Sequence, residues 1–478
     1  MANGNTREVD VAIIGSGTAG LSALGQVRKR TGNFVIINDG PYGTTCARVG
    51  CMPSKALIEA ADIYHKRNLY NEMGFYLNGS VAVDGKAVLK RVRRLRDKFV
   101  AGVNRATDRL EEHQNIPGRA RILAPDLVEV NGTRIRTKKL IIAPGSKAVV
   151  PGPWRELGSA MLTSDTIFEL EDLPESLLVV GMGAIGLELA QAMSRLGVKV
   201  TGFDALHTIG GITDPDVARS AVKIIGEEFP IHLGAKVNLE TVPGGKVRAS
   251  WSGSTATADK VLVAVGRKPN IEDLGLENLG VELNGNGLPG FNQHTLQVGD
   301  LPVFLPGDVN GRAPILHEAA DDGHIAGYNA TLGNSDEHCF CRRTPIGIVF
   351  SDPNIAYAGS RFADLEMDEA VTAEEDYSTQ SRAITAGENR GKMKLYASKV
   401  TSKLLGAEMA VPGGEHMAHT LSWAIQRGLT VFQMLELPFY HPVLEEGIRG
   451  ALRKLADKIE KRESAPEVPL CRQIPGED

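Results

Sequence analysis

Two stretches of this 478-residue chain carry the same fingerprint, and it leaves few folds open. VDVAIIGSGTAGLSALGQV (9–27) runs from a β-branched segment directly into a glycine-rich turn and then a helical pattern. LLVVGMGAIGLELAQAMSRLG (177–197) does the same, with Gly181 standing 166 positions after Gly15. Each contains G-x-G-x-x-G: Gly15, Gly17 and Gly20, then Gly181, Gly183 and Gly186. The first glycine permits a tight turn, the second lets backbone approach a pyrophosphate, and the third allows close helix–strand packing. The helix N-terminus stabilises the phosphate charge. One such motif is often only a loop. Two of them, each following a strand and opening a helix, predict two dinucleotide sites on α/β sheets.

A ribose-binding acid is expected at the end of the next strand, about 20 residues on. In the second unit VKVTGFDAL (198–206) supplies Asp204, and no Arg or Lys between Thr201 and Asp214 is available for a 2′-phosphate, so NAD is favoured over NADP. In the first unit FVIIND (34–39) offers Asn38 and Asp39, with Asn38 at the usual acid position. Helical stretches are expected over roughly 50–71 and 86–113, followed by β-like runs at Arg119–Leu123, Leu127–Val130 and Arg134–Ile142. The run RVRRLRDK (91–98) is a sharp charge cluster, read as a solvated helix face with a docking surface for an acidic partner as the alternative. The end, 460–478, is polar and Pro-containing, as expected of a loose tail.

Composition narrows the class further. Lys and Arg number 53 against 58 acids, a net charge of −5, so the basic field that nucleic-acid binding requires is missing. The 53 glycines follow no Gly-X-Y period and point to tight turns. Five cysteines cannot staple a chain of this length. The N-terminus lacks the basic start and cleavage site of a signal peptide, and the apolar stretch Leu177–Leu187 is too short to span a bilayer. A soluble cytoplasmic protein of three or four domains is expected, with no nucleic-acid or membrane partner.

TTCARVGCMPSK (44–55) places Cys46 and Cys51 just after the first unit's second strand. In an ideal helix a five-residue step rises about 7.5 Å, too far for a disulfide. The two can bridge only if Cys46 precedes the helix or lies in a distorted first turn, which Gly50 would help. A thiolate at a helix N-terminus is stabilised and made a good nucleophile. Two buried, unreactive cysteines are the alternative. A zinc site would need a second close pair with suitable His spacing, and none follows.

At these residues the chain resembles the flavin-dependent disulfide reductases, the class I pyridine nucleotide-disulfide oxidoreductases that include dihydrolipoamide dehydrogenase, glutathione reductase and mercuric reductase. CARVGCMPSK resembles their C-x(4)-C-x-P-S-K signature, and IIAPGS (141–146), with Gly145, resembles their I-A-T-G-S turn. VLVAVGRKPN (261–270), with Gly266 and Arg267, resembles the G-R-x-P-N turn, and HPVLEEG (441–447) the C-terminal H-P-x-x-x-E. FLPGDVNG (304–311) and ILHEAADDG (315–323) resemble the strand and helix that meet the flavin, through Asp308 and backbone near Leu316.

The resemblance implies an α/β fold with two Rossmann-like dinucleotide-binding domains, for FAD (1–150) and NAD (151–278). A central domain (279–343) would complete the FAD site, and a C-terminal α+β dimerisation domain (344–478) would follow. It implies Cys51 as the thiol that exchanges electrons with the flavin and Cys46 as the one that forms a mixed disulfide with substrate. Lys55 and Glu188 match the family's ion pair near flavin and nicotinamide. His441 matches the general base, with Glu446 as the carboxylate that orients it; in this family the base comes from the opposite subunit of a homodimer. No metal site is implied.

The activity implied is dihydrolipoyl dehydrogenase: oxidation of a dihydrolipoyl group on a carrier protein or 2-oxo acid dehydrogenase acyltransferase, with NAD as acceptor. An NAD(P)H-dependent disulfide or mercuric reductase, and a non-catalytic flavin-binding redox sensor, are the rivals. A His441–Glu446 dyad argues against the sensor, because sensing needs no proton-transfer base. The chain departs from the family at Thr44, Arg48, Pro144, Val443 and Glu445, all near the flavin turns or the disulfide mouth. Cys339, Cys341 and Cys471 match no family pattern; Cys339 and Cys341 read as incidental.

Overall fold

A computed structural model of the chain describes residues 6–333, 336–459 and 468. The first fingerprint forms β1 (Thr6–Ile14), a turn and α1 (Thr18–Val27), after which β2 (Phe34–Asn38) lies parallel to β1. Val11–Ile14 and Phe34–Ile37 are buried, as strands covered on both faces must be. Next come α2 (Thr45–Arg48), α3 (Cys51–His65) and α4 (Gly85–Asp108), close to the two helical stretches expected. β3 (Asn115–Pro117), β4 (Ala120–Ala124), β5 (Leu127–Val130) and β6 (Thr133–Ile142) complete the sheet, and β7 (Ser146–Ala148) leaves it. The strand order is β3-β2-β1-β6-β5-β4; β1, β2, β3 and β6 run parallel, while β4 and β5 form an antiparallel extension.

The second unit repeats this plan. It comprises β8 (Met161–Leu162), β9 (Ser176–Val180), α5 (Ala184–Arg195), β10 (Lys199–Phe203), α6 (Pro215–Gly226) and β11 (Ile231–His232). A small antiparallel sheet of β12 (Asn238–Val242), β13 (Lys246–Trp251) and β14 (Ser254–Ala258) precedes β15 (Lys260–Val263). The main sheet is parallel throughout, in the order β11-β10-β9-β15-β8. β16 (Arg267–Pro269) then pairs with β7, so the chain leaves the second unit along the edge by which it left the first.

The chain next returns to the first sheet. β17 (Val303–Phe304) adds beside β6, and α7 (Leu316–Asn329) packs against α1. A Cβ on Gly323 would lie 2.2 Å from the Ala19 carbonyl oxygen, and one on Gly327 2.5 Å from that of Ala23, so the two helices cross at backbone contact. The C-terminal part is an antiparallel sheet of β18 (Ile346–Val349), β19 (Asn354–Gly359), β20 (Ala370–Asp376), β21 (Lys392–Ser398) and β22 (Leu404–Val411). A short α8 (Ser381–Ala386) lies between β20 and β21, and α9 (Gly414–Gln426), α10 (Val431–Leu435) and α11 (Glu446–Ala456) follow. α11 buries Ile448, Ala451, Leu452 and Leu455, one stripe of a helix, against this sheet. The whole is a mixed α/β fold with two Rossmann-like units and an α+β C-terminal domain.

Candidate active site

The two fingerprints fold into cradles built in the same way. Gly15 and Gly181 have φ of +99° and +96°, a region that disfavours L side chains. A Cβ on Gly15 would stand 2.2 Å from the Ala143 carbonyl oxygen, and one on Gly181 2.4 Å from that of Ala264. On Gly20 and Gly186 it would fall 1.9 and 1.8 Å from the carbonyl oxygens of Gly15 and Gly181. The chain's own backbone therefore demands the first and third glycines. The middle ones, Gly17 and Gly183, would meet nothing within 4 Å. They are the N-caps of α1 and α5, which have no side-chain cap and no acid in the first turn. Open space over uncapped N–H groups suits a pyrophosphate, so the residues present fit a dinucleotide at each place.

The strand ends agree in the same register. Asp204 accepts from the Met182 N–H at 2.6 Å and from the Leu206 N–H at 2.8 Å. The Asn38 amide oxygen accepts from the Ser16 N–H at 3.2 Å. Asn38 thus takes the place in the first unit that Asp204 takes in the second. Asp39 lies beyond it, exposed, 4.0 Å from Arg119 Nε. Gly145 and Gly266 open the paired β7 and β16, where Arg267 donates to the Ser146 hydroxyl at 2.9 Å and carbonyl at 2.7 Å. Ser146 in turn donates to Asp308 at 2.6 Å, and buried Asp322 holds the turn before it through the Gly307 N–H at 3.0 Å. Ser146 and Asp322 escaped the sequence reading. The Pro144 carbonyl accepts from Asn270, and Leu316 is the half-exposed first residue of α7.

Cys46 lies in α2 and Cys51 opens α3, with the chain broken between the two helices at Val49 and Gly50. A Cβ on Gly50 would stand 3.1 Å from the Cys46 Cα, so the break brings the two cysteines' backbones together. Both are free thiols: a hydrogen bond from Cys46 lowers the Cys51 thiol to about 6, with the Lys55 ammonium helping and partial burial opposing. The same contact, with burial, pushes Cys46 up. At neutral pH Cys51 is the thiolate and Cys46 the thiol. Arg48 ends α2, its Nε buried without a hydrogen-bond partner.

Lys55 is one turn further along α3, and its Nζ pairs with Glu188 at 2.7 Å across to α5. The other Glu188 oxygen accepts from the Phe350 N–H at 2.9 Å, and the Phe350 ring lies 4.4 Å from Lys55 Nζ. Seven residues on along both helices, Asp62 and Arg195 pair at 2.6 Å with the charges exchanged. Sequence reasoning missed Phe350 and Arg195; the i+7 spacing of Arg195 from Glu188 was the available signal.

His441 precedes a cis peptide to Pro442, and its Nδ1 lies 3.0 and 3.1 Å from the two oxygens of Glu446, the first residue of α11. The Val443 N–H also donates to Glu446, and His441, above all, holds that carboxyl below its usual range. Glu445 is the preceding N-cap residue. The His441 side chain is 74% exposed, on a part of the chain where Tyr440 and Trp423 are also open to solvent.

The basic run lies within α4, but part of it is internal. Arg91 donates to the Ala56 carbonyl and Arg93 to those of Phe168 and Leu170, while Arg96 pairs with Glu169 and Asp97. These side chains pin α4 to α3 and to the second unit, so the picture of a purely solvated face is corrected. Cys339 and Cys341 are exposed, and Cys471 lies outside the described residues, as does nearly all of the tail. Among the described residues no cluster of three or more His, Cys, Asp or Glu could hold a metal, and no helix is long and apolar enough to cross a membrane.

Two nucleotide cradles, a thiol pair at a helix start and an ion pair joining the two units define a flavin-dependent disulfide oxidoreductase. The chain belongs to the pyridine nucleotide-disulphide oxidoreductases, whose family model matches residues 9–323, and the model of their dimerisation domain matches residues 346–452. The family is FAD-dependent and uses a nicotinamide nucleotide, and the dimerisation domain supports a homodimer. Among curated relatives, mercuric reductase of Staphylococcus aureus is 28% identical over 463 residues, covering 93% of this chain and 82% of that protein. Mitochondrial dihydrolipoyl dehydrogenase of Mesocricetus auratus is 28% identical over 472 residues, covering 92% and 95%. Two solved structures share the fold at 22% identity and a TM-score of 0.80. The HOCl-induced flavoprotein disulfide reductase RclA of Escherichia coli covers 93% of this chain and 99% of its own. LpdA of Mycobacterium tuberculosis covers 94% and 100%.

Proposed function

We propose that the protein is a dihydrolipoyl dehydrogenase, oxidising a dihydrolipoyl group on a carrier protein or acyltransferase and reducing NAD. The observation that carries this reading is the thiol pair brought together across the Gly50 break beside the Lys55–Glu188 pair, with a His441–Glu446 dyad on the exposed C-terminal part. A thiolate of the substrate attacks Cys46 Sγ of the oxidised pair, forming a mixed disulfide and releasing Cys51 as a thiolate that Lys55 stabilises. His441 of the second subunit, oriented by Glu446, takes the proton of the remaining substrate thiol. That sulfur attacks the substrate's own sulfur in the mixed disulfide, closing the lipoyl ring and expelling Cys46. The substrate has lost two electrons and two protons, and the Cys46–Cys51 disulfide is reduced. FAD held in the first cradle would supply the electron relay between the Cys46–Cys51 pair and NAD held in the second.

Gly15, Gly17, Gly20, Asn38, Ser146, Asp308 and the α7 start would hold the flavin. Gly181, Gly183, Gly186 and Asp204 would hold NAD, with no Arg or Lys between Thr201 and Asp214 for a 2′-phosphate. The test is anaerobic NADH formation from dihydrolipoamide and NAD by the FAD-loaded protein. Rapid turnover supports the reading. Absence of turnover, with NADH still able to reduce the protein, refutes the substrate and leaves the scaffold. The equal identity to mercuric reductase supports a second reading, reduction of mercuric ion or a small disulfide, and the same protein should then consume NADH or NADPH with that acceptor.

A further inference from the structure

The segment that follows β18 is stitched to one face of α5 at three successive points. Glu188, Gln191 and Arg195 stand at i, i+3 and i+7 on that helix and so share a side. The first point is the Phe350 N–H on Glu188. At the second, the Gln191 amide behaves like a neighbouring strand: its oxygen accepts from the Asp352 N–H at 2.8 Å and its nitrogen donates to the Asp352 carbonyl at 2.8 Å. At the third, Arg195 donates to the Asp352 carboxylate at 2.9 Å, and Arg390 to the same oxygen at 2.9 Å. Burial raises the Asp352 carboxyl, but Arg390 and Arg195 outweigh it and hold it ionised. The Arg195 guanidinium is itself only 2% exposed and also grips Glu228 and Asp62.

We propose that Gln191, Arg195 and Asp352 form a positioning clasp that fixes the Lys55 ammonium beside Cys51 by holding Phe350 in place. Lys55 ends on a flexible four-carbon stem and is about one-third exposed, so its own geometry does not confine it. Two groups do: the Glu188 carboxylate and the face of the Phe350 ring. Glu188 has one oxygen on Lys55 and the other on the Phe350 backbone. If the segment withdrew, Lys55 would lose the ring and Glu188 its second donor, and the ammonium could swing toward water. None of the three clasp residues touches a reacting atom. The charged or thiol groups that weigh most on Cys51 are Cys46, Lys55 and Glu188, and of these the clasp reaches Lys55 and Glu188.

This inference rests on the reading of Cys51 as the redox thiolate, and the test separates the two. The rate of iodoacetamide alkylation at Cys51 is followed against pH on the reduced holoprotein, by peptide mass spectrometry. The wild-type midpoint is expected near the value of about 6 set by its surroundings. Gln191→Leu leaves the Asp352 backbone unpaired and should raise the midpoint by about half a unit to one unit, a part of the shift a neighbouring opposite charge gives. Asp352→Asn, which keeps the backbone pairing, should raise it less and serves if the leucine variant does not fold. Glu408→Gln is the control. Glu408 ties the second unit to the C-terminal sheet through the N–H groups of Thr213, Asp214 and Phe362, away from Lys55. It should lower the melting temperature and leave the midpoint alone. An unmoved midpoint in Gln191→Leu and Asp352→Asn, or an equal rise in Glu408→Gln, overturns the clasp. A wild-type protein with no thiol titrating near 6 overturns the site reading and the clasp with it.

Discussion

Gly183→Ala is the sharpest probe of the second cradle, because the structure separates its effect on folding from its effect on binding. Gly183 has φ −69° and ψ −169°, conformations any L residue adopts, and an added Cβ would meet nothing within 4 Å. The chain should therefore tolerate the methyl, and the loss of backbone freedom in the unfolded state should stabilise it by about 0.4–1 kcal/mol. The methyl does fill the space over the α5 N-terminus. A pyrophosphate displaced from there forfeits at least one hydrogen bond to a charged group, worth about 1.5–3 kcal/mol. At about 1.4 kcal/mol per decade that weakens NAD binding roughly 10- to 150-fold. The assay is a fluorescence titration with NADH beside a thermal melt. Gly186→Ala is the comparison: its Cβ would stand 1.8 Å from the Gly181 carbonyl oxygen, so it should unsettle the fold itself. Unchanged NADH affinity in a well-folded Gly183→Ala protein would refute the placing of a pyrophosphate there. A melting temperature as low as that of Gly186→Ala would refute the steric reasoning.

Other outcomes follow from the same site. Cys46→Ser should abolish dihydrolipoamide oxidation while NADH still bleaches the flavin; retained turnover would remove Cys46 from the mechanism. Glu446→Gln deprives His441 of the carboxylate that orients it, so turnover should fall by about 10- to 100-fold. Dihydrolipoamide turnover unchanged in Glu446→Gln would show that the dyad does not orient the base. Because the Cys51 thiol is depressed to about 6, its thiolate is present above that pH and lost as pH falls through it. Thiol-dependent turnover should fall on the acid side accordingly, and Lys55→Met should move that limb upward. Arg195→Met leaves Glu228 and Asp352 partly unpaired in the interior, a loss of about 3–5 kcal/mol that urea denaturation would measure.

Local chemistry made much of this protein legible in advance. A Cβ on Gly20 or Gly186 would collide with the carbonyl of Gly15 or Gly181 in its own turn, so glycine is obligatory there and both cradles could be read from their spacing. A bridge between the cysteines required Cys46 to lie before the helix or in a distorted first turn, and the chain breaks between them at Val49 and Gly50. The basic run shows the opposite case. Charge alone suggests solvent, whereas Arg91 and Arg93 end on main-chain carbonyls of other elements that no local pattern identifies. Ser146 was likewise invisible, since its role depends on Arg267 and Asp308, 121 and 162 residues away.

The sequence by itself determined which segments become nucleotide cradles, where the thiols stand and which histidine has a carboxylate nearby. All of these depend on short-range spacing within one strand, turn or helix. Only the tertiary structure decided what surrounds them. The Lys55–Glu188 and Asp62–Arg195 rungs exist because α3 and α5 pack together, and Phe350 and Asp352 reach them from the far side of the chain. Burial and opposite charges drawn from three parts of the sequence fix those groups in space, and no single stretch of residues contains that information.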